Sequence, residues 1–374
     1  MLILRVTLCF NDARYGLFLM KLILIVILGL LALSCGRQVK RKDSNALFLI
    51  EQNAKNGYIN KSGTVTIPAQ FDEALPFSEG LAAVQVSRKW GFVDANGKLA
   101  IQPQFDRPSF ASEGLIAVDI NRKIGYVNSS GQFVINPQFD SQHKGPGDFP
   151  EFFASFFEGV AAVRVGQYFG FIDRTGKMII NPQFGFVYPF TQGLAAVSVD
   201  GQSQFGFVDK SGKFVINPQF QQALPFTRDL AAVSVGGKWG YIDKAGKLTI
   251  NPHFDAAIPF SEEDLAGVLV NGKWGVINRT GNFIINPQFD NIVSGGPGIG
   301  KLLFCGTDFS RMFYSEGLAA VQISGKWGYI DRSGQFVINP QFDDAFPFSY
   351  GLALVRSGPK YIDKTGKYVW NPSP

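Results

Sequence analysis

The stretch from Gly317 to Ser349, GLAAVQISGKWGYIDRSGQFVINPQFDDAFPFS, decides the architecture. It holds three short β-compatible runs, LAAVQIS, KWGYID and FVINPQF. A tight Ser324-Gly325 turn separates the first two, and Asp331-Arg332-Ser333-Gly334 separates the second from the third. An Asp that hydrogen-bonds its own turn, followed by a Gly free to take left-handed backbone, is a hairpin loop. Asn-Pro is expected to end the third run, because Pro donates nothing to a ladder and restricts the residue before it. The following FDDAFPFSYG reads as a linker or a short fourth strand, with its Phe residues anchoring one unit to the next. Helical periodicity is absent.

Outward from this stretch the same unit repeats. The Gly after Trp, or after its stand-in, recurs at Gly57, Gly91, Gly125, Gly170, Gly206, Gly240, Gly275 and Gly328. The spacing is 34 to 36 residues except for two intervals of 45 and 53. A ninth copy, LALVRSGPKYIDKTGKYVW, lacks that Gly. Trp90, Trp239, Trp274 and Trp327 keep the Trp, while Ile124, Phe169 and Phe205 replace it inside the array and Asn56 and Pro359 at its ends. Trp buries a large area, and the Gly beside it leaves room for a neighbouring backbone or ring. The pairs Trp90-Gly91, Trp239-Gly240, Trp274-Gly275 and Trp327-Gly328 are therefore the expected core signature. The polar end replacements read as capping units that lack a neighbour on one side.

The Lys-Trp-Gly-Tyr-Ile-Asp core, the x-x-Gly-Lys turn and the Phe-Ser-Glu-Gly-Leu-Ala-Ala-Val lead-in resemble the WG-repeat family, also called KWG repeats, over roughly residues 46–372. That resemblance implies tandem bacterial β-repeats, often on exported proteins, with an interaction or structural role and no general catalytic activity. The fold expected is all-β, about nine β-meander units of three to four strands. They form either a propeller-like array or an open β-solenoid or superhelix. Propellers typically have four to eight blades, so a ring of nine would need a copy to overlap or split.

Residues 1–34 read as a leader. Leu22–Leu33 is an apolar run of twelve, too short for the roughly 20 residues of a membrane span and right for a signal core. Met20-Lys21 before it looks like the natural start. The run closes on Leu31-Ala32-Leu33-Ser34-Cys35, which resembles a bacterial lipobox with Cys35 as the lipid-attachment residue. Ordinary secretion is the alternative. Residues 35–45 then read as a lipidated Cys and a polar, basic tether, and 46–374 as the repeat domain. The address is the cell envelope, at the outer membrane or cell surface, or else periplasmic or secreted.

Composition narrows the function. Hydrophobic residues are 46% of the 374, enough for a large core. Only 2 His and 3 Cys are present, which weakens any metal cage or Cys–His pair. A net charge of +5 with no long basic run argues against a nucleic-acid face. One Asp per turn falls short of a calcium site. Gly295–Lys301 lacks the spacing of a phosphate loop. No catalytic residue, metal site or cofactor is therefore assigned. Two insertions, near 141–154 and 291–312, follow the NPQFD segment and should emerge on one side of the array. They offer His143, Phe149, Phe152, Phe153, Lys301, Phe304, Phe309 and Arg311 as speculative binding residues. The reading is a non-catalytic exported lipoprotein whose β-repeat surface meets a protein or glycan. The alternatives are an envelope scaffold or spacer, and an enzyme with its site in an insertion loop.

Overall fold

The computed structural model describes residues 46–141, 154–200, 204–292, 313–356 and 359–372. They build nine small antiparallel sheets in chain order, all-β, arranged as the nine blades of a propeller. The blades span 47–71, 73–105, 107–140, 156–184, 186–220, 222–254, 256–289, 314–342 and 344–370. Blade six is representative. A two-residue first strand, Gln222–Ala223, pairs with a second, Ala231–Val235. The second pairs with a third, Lys238–Ile242, and the third with a fourth, Leu248–Phe254. The linker seen in the sequence thus supplies the first strand of the next blade. Among the described residues blade one has three strands, Leu47–Gln52, Lys55–Asn60 and Val65–Phe71, and the other blades have four.

The turns follow from their residues. Ser324 and Gly325 both have positive φ, 51° and 77°, as a two-residue hairpin matched to the strand twist requires. In the Asp turns, Asp331 Oδ1 accepts the N–H groups of Ser333 and Gln335, and Gly334 takes φ 87°.

The Asn-Pro pair does not end its strand. The fourth strand runs through it, as in Phe214–Phe220, and the Pro sits at a bulge on an edge of the sheet. In blade six Trp239 faces Phe254 and Tyr241 faces Ile250, so two extra residues of the fourth strand crowd opposite Gly240. A Cβ on Gly240 would lie 2.4 Å from the Ile250 carbonyl and 2.7 Å from the Pro252 nitrogen. That contact, rather than backbone conformation, is what demands glycine after Trp. Blade nine explains the exception. Its fourth strand is only Tyr368–Trp370, makes no such bulge, and leaves Lys360 free to occupy the Gly position.

The ring closes with nine units, none overlapping or split. Tyr361 of blade nine donates its hydroxyl to the Leu49 carbonyl of blade one at 2.8 Å, across 312 residues of chain. Phe48 and Tyr361 stack edge-to-face at 5.4 Å. Phe48, Ile50 and Ile59 share one apolar cluster with Phe346, Leu352 and Leu354. The end units are therefore not caps. Asn56 packs opposite Phe71 and donates its side-chain amide to the Asp72 carbonyl at 3.2 Å.

Candidate functional site

What repeats most faithfully is the junction between blades. At mid-height, Tyr58, Tyr241 and Tyr329 donate to the carbonyls of Leu75, Ile258 and Phe346 in the next blade at 2.6, 2.8 and 2.8 Å. Their burial raises the phenol pKa of Tyr241 and Tyr329 far above the ordinary value, so they stay protonated donors. The lead-in Phe stacks on the same ring: Phe77 on Tyr58, Phe260 on Tyr241 and Phe348 on Tyr329, each at 4.8 Å. Trp90, Trp274 and Trp327 are buried in clusters that join neighbouring blades, whereas Trp239 is half-buried.

Antiparallel strands alternate ends, so each blade shows one turn on one rim and two turns on the other. On the first, the lysine rim, the Asp that follows the Phe ending the fourth strand bridges two blades at five junctions, while Gly185 and Gln221 stand in its place at two others. Asp72 accepts from Lys55 Nζ at 2.5 Å in its own blade and from the Ser87 N–H at 3.0 Å in the next. Asp290 does the same with Lys273 at 2.5 Å and Ser324 at 2.7 Å. Asp106, Asp140 and Asp255 repeat the device. The lysine hydrogen bond is the main reason that the Asp72, Asp140, Asp255 and Asp290 carboxyls are held below the usual range. At Asp106 burial pulls upward, but Lys89 and the Asn121 N–H outweigh it.

On the glutamate rim each lead-in turn caps the next. Glu79 accepts the Gly114 N–H at 2.8 Å, Glu113 that of Gly159 at 2.9 Å, and Glu158 that of Gly193 at 3.0 Å. Gln192 takes Asp229 at 2.9 Å, Glu263 takes Gly317 at 2.8 Å, and Glu316 takes Gly351 at 3.0 Å. Between blades six and seven a bidentate Arg228–Asp264 pair at 2.9 Å stands in. A belt thus runs from blade two to blade nine. The sequence reading missed these roles. Their signal was the return of a lead-in Glu and of an Asp after the fourth-strand Phe in most units, with Gln192, Arg228, Gly185 and Gln221 among the exceptions.

The signature Trp residues pack at the blade junctions, and the signature Gly residues pack against the fourth strand of their own blade. Cys35 lies outside the described residues, as do His143, Phe149, Phe152, Phe153, Lys301, Phe304, Phe309 and Arg311. The described opening residues of the two insertions, Ser141 and Asn291-Ile292, stand at the lysine rim, between blades three and four and blades seven and eight. Most aromatics are buried. Among the described residues the exposed large apolar side chains are mainly aliphatic, and Val86, Val165, Tyr168, Val199 and Val235 each stand at the lysine-rim turn of their own blade. Asp119 is the carboxyl whose pKa burial raises, against a hydrogen bond from Ser141. Among the described residues no three His, Cys, Asp or Glu side chains come together as a metal site.

The WG containing repeat model matches nine times between residues 57 and 361, including 57–90, 205–239, 239–274 and 327–361. The chain belongs to the WG-repeat family. No curated protein matches this WG-repeat chain in sequence. Among solved structures it is similar to a eukaryotic initiation factor, with a TM-score of 0.57 and 12% identity over 86% of this chain and 94% of that one. It is also similar to Hsv2 of Kluyveromyces marxianus, with a TM-score of 0.41 and 12% identity over 70% and 94%. At 12% identity the likeness to the initiation factor shows the propeller fold alone.

Proposed function

We propose that this WG-repeat ring is a non-catalytic binding scaffold, exported and held to the cell envelope by a lipid on Cys35, that presents its lysine rim to a protein or glycan partner. One observation carries the reading: the repeated carboxylates are engaged in holding blade to blade, by lysine and backbone N–H, and so build a frame. Both insertions depart from the lysine rim, where Val165, Tyr168, Val199 and Val235 are exposed. Long loops on a rigid scaffold are a usual place for binding surfaces. The rim's lysines are paired with aspartates, which favours a protein or glycan over nucleic acid.

The test has two parts. Cys35→Ser should move the protein from membrane to soluble fraction and abolish acyl labelling. Unchanged partitioning and labelling would reject the anchor. Purified ring and a Val165→Glu/Tyr168→Glu/Val199→Glu variant are then probed against protein and glycan arrays. Loss of specific binding in the variant supports the rim. Equal binding by both would move the surface elsewhere, and turnover of an arrayed compound would restore the enzyme reading.

A further inference from the structure

The last strand of each blade is an edge of its sheet. The segments 65–71, 99–105, 133–139, 178–184, 214–220, 248–254, 283–289 and 336–342 hold no Asp, Glu, Lys or Arg, yet their fourth and sixth positions are exposed in all eight. A solvated edge strand is ordinarily blunted by charge, Lys above all. Asn holds the fourth position in six consecutive blades, as Asn136, Asn181, Asn217, Asn251, Asn286 and Asn339. Gln holds the sixth in seven of the eight strands, and His253 in the other. Gln183 donates to the Asn181 carbonyl at 3.4 Å, and His253 Nδ1 lies 2.6 Å from the Asn251 carbonyl, so the two positions share one side of the strand. Among the described residues the six Asn side chains have no hydrogen-bond partner. The fold does not call for them either. Pro68 and Gln102 stand at the fourth position in blades one and two with the same bulged register.

We infer that the fourth strands of blades three to eight form a second binding surface, and that it takes a neutral polysaccharide. An amide offers two donors and an acceptor without charge, the set that hydroxyl groups match. A charged partner would find no counter-charge within these strands. A peptide adding to the edge as a further strand would meet Pro, which has no N–H, in the middle of the ladder. The exposed Val134, Val215, Ile284 and Val337 at the second position supply methyl groups for the C–H faces of sugar rings. A polysaccharide repeats its hydroxyl groups as the ring repeats its amides. Each blade then holds a sugar weakly, and affinity comes from engaging several blades with one chain. This surface is separate from the lysine rim and does not depend on what that rim binds.

The experiment runs the full chain through native gels cast with a mixed-linkage β-glucan, a galactomannan or dextran, beside a gel without polysaccharide. Retardation by at least one polysaccharide is expected. A variant carrying Asn181→Ala, Asn217→Ala, Asn251→Ala and Asn286→Ala should bind that polysaccharide at least roughly tenfold more weakly, because four adjoining sites are lost together. Its urea midpoint should match that of the parent chain, since those amides bond to nothing in the fold, and this separates lost binding from lost folding. The Val165→Glu/Tyr168→Glu/Val199→Glu variant should be retarded as the parent is. Free passage through every gel would overturn the inference, as would equal retardation of the parent and the Asn variant. Retardation lost only in the Val165/Tyr168/Val199 variant would overturn it too and place the glycan on the lysine rim. Slowing that grows with protein concentration in the gel without polysaccharide, and vanishes in the Asn variant, would place a second copy on these strands instead.

Discussion

At the scale of single residues, two glycines in one hairpin separate space from conformation. Gly240 has no room for a Cβ, because the bulged fourth strand leans on it. Gly236 has nothing within 4 Å but a φ of 59°. Gly240→Ala should therefore cost about 1–3 kcal/mol or more, as overpacking does, and Gly236→Ala only about 1–2 kcal/mol of left-handed strain. Urea unfolding of the two variants checks the order. Trp327, 3% exposed, should lose about 3–5 kcal/mol on replacement by Ala. The half-buried Trp239 should lose less, although the two tryptophans look equivalent in sequence.

At the scale of the blade and its junction, the ties differ in worth by their burial. Tyr329→Phe removes a buried donor and strands the Phe346 carbonyl, so it should cost about 1–3 kcal/mol. Lys273→Met breaks an exposed pair and should cost under about 1 kcal/mol. Asp290→Ala should cost more than Lys273→Met, since it also strips the Ser324 N–H of its acceptor. The same aspartates set the acid limit. Their folded pKa values lie below the ordinary value of 3.8, so the folded ring binds fewer protons than the unfolded chain as pH falls. Their contribution is complete above about pH 5 and is lost as the pH drops through the lowered folded values. A urea midpoint that falls steeply below about pH 4 is expected, and a flat midpoint from pH 6 to pH 3 would contradict it.

At the scale of the whole molecule, the seam between blades nine and one is the exception. The other junctions carry rim ties as well as core packing. At the seam, Tyr361, Phe48 and the shared cluster hold the ring, with Gly63 pressed against the Val369 backbone. Among the described residues no strand is exchanged between the first and last blades. Tyr361→Phe should therefore speed hydrogen exchange in blades one and nine while blades four to seven keep their protection. Tyr241→Phe should not open the seam.

The repeat period, the strand–turn rhythm, the Asp turns and the need for Gly after Trp could all be read from the chain, because each is a local constraint acting within a few residues. The order Asp-x-x-Gly writes its own hairpin wherever it occurs. What the tertiary structure decided was whatever depends on two distant segments meeting. The expectation that Asn-Pro stops its strand failed because edge position and a bulge remove the need for the missing donor. The expectation of end caps failed because Tyr361 finds Leu49, a partner that no periodicity specifies. Glu79 and Asp72 take on their role only when the next blade's turn supplies the N–H groups they accept. A ring of nine rather than an open array is set by the angle at which each packed face receives the next, and that angle is a property of assembled side chains, not of any one repeat.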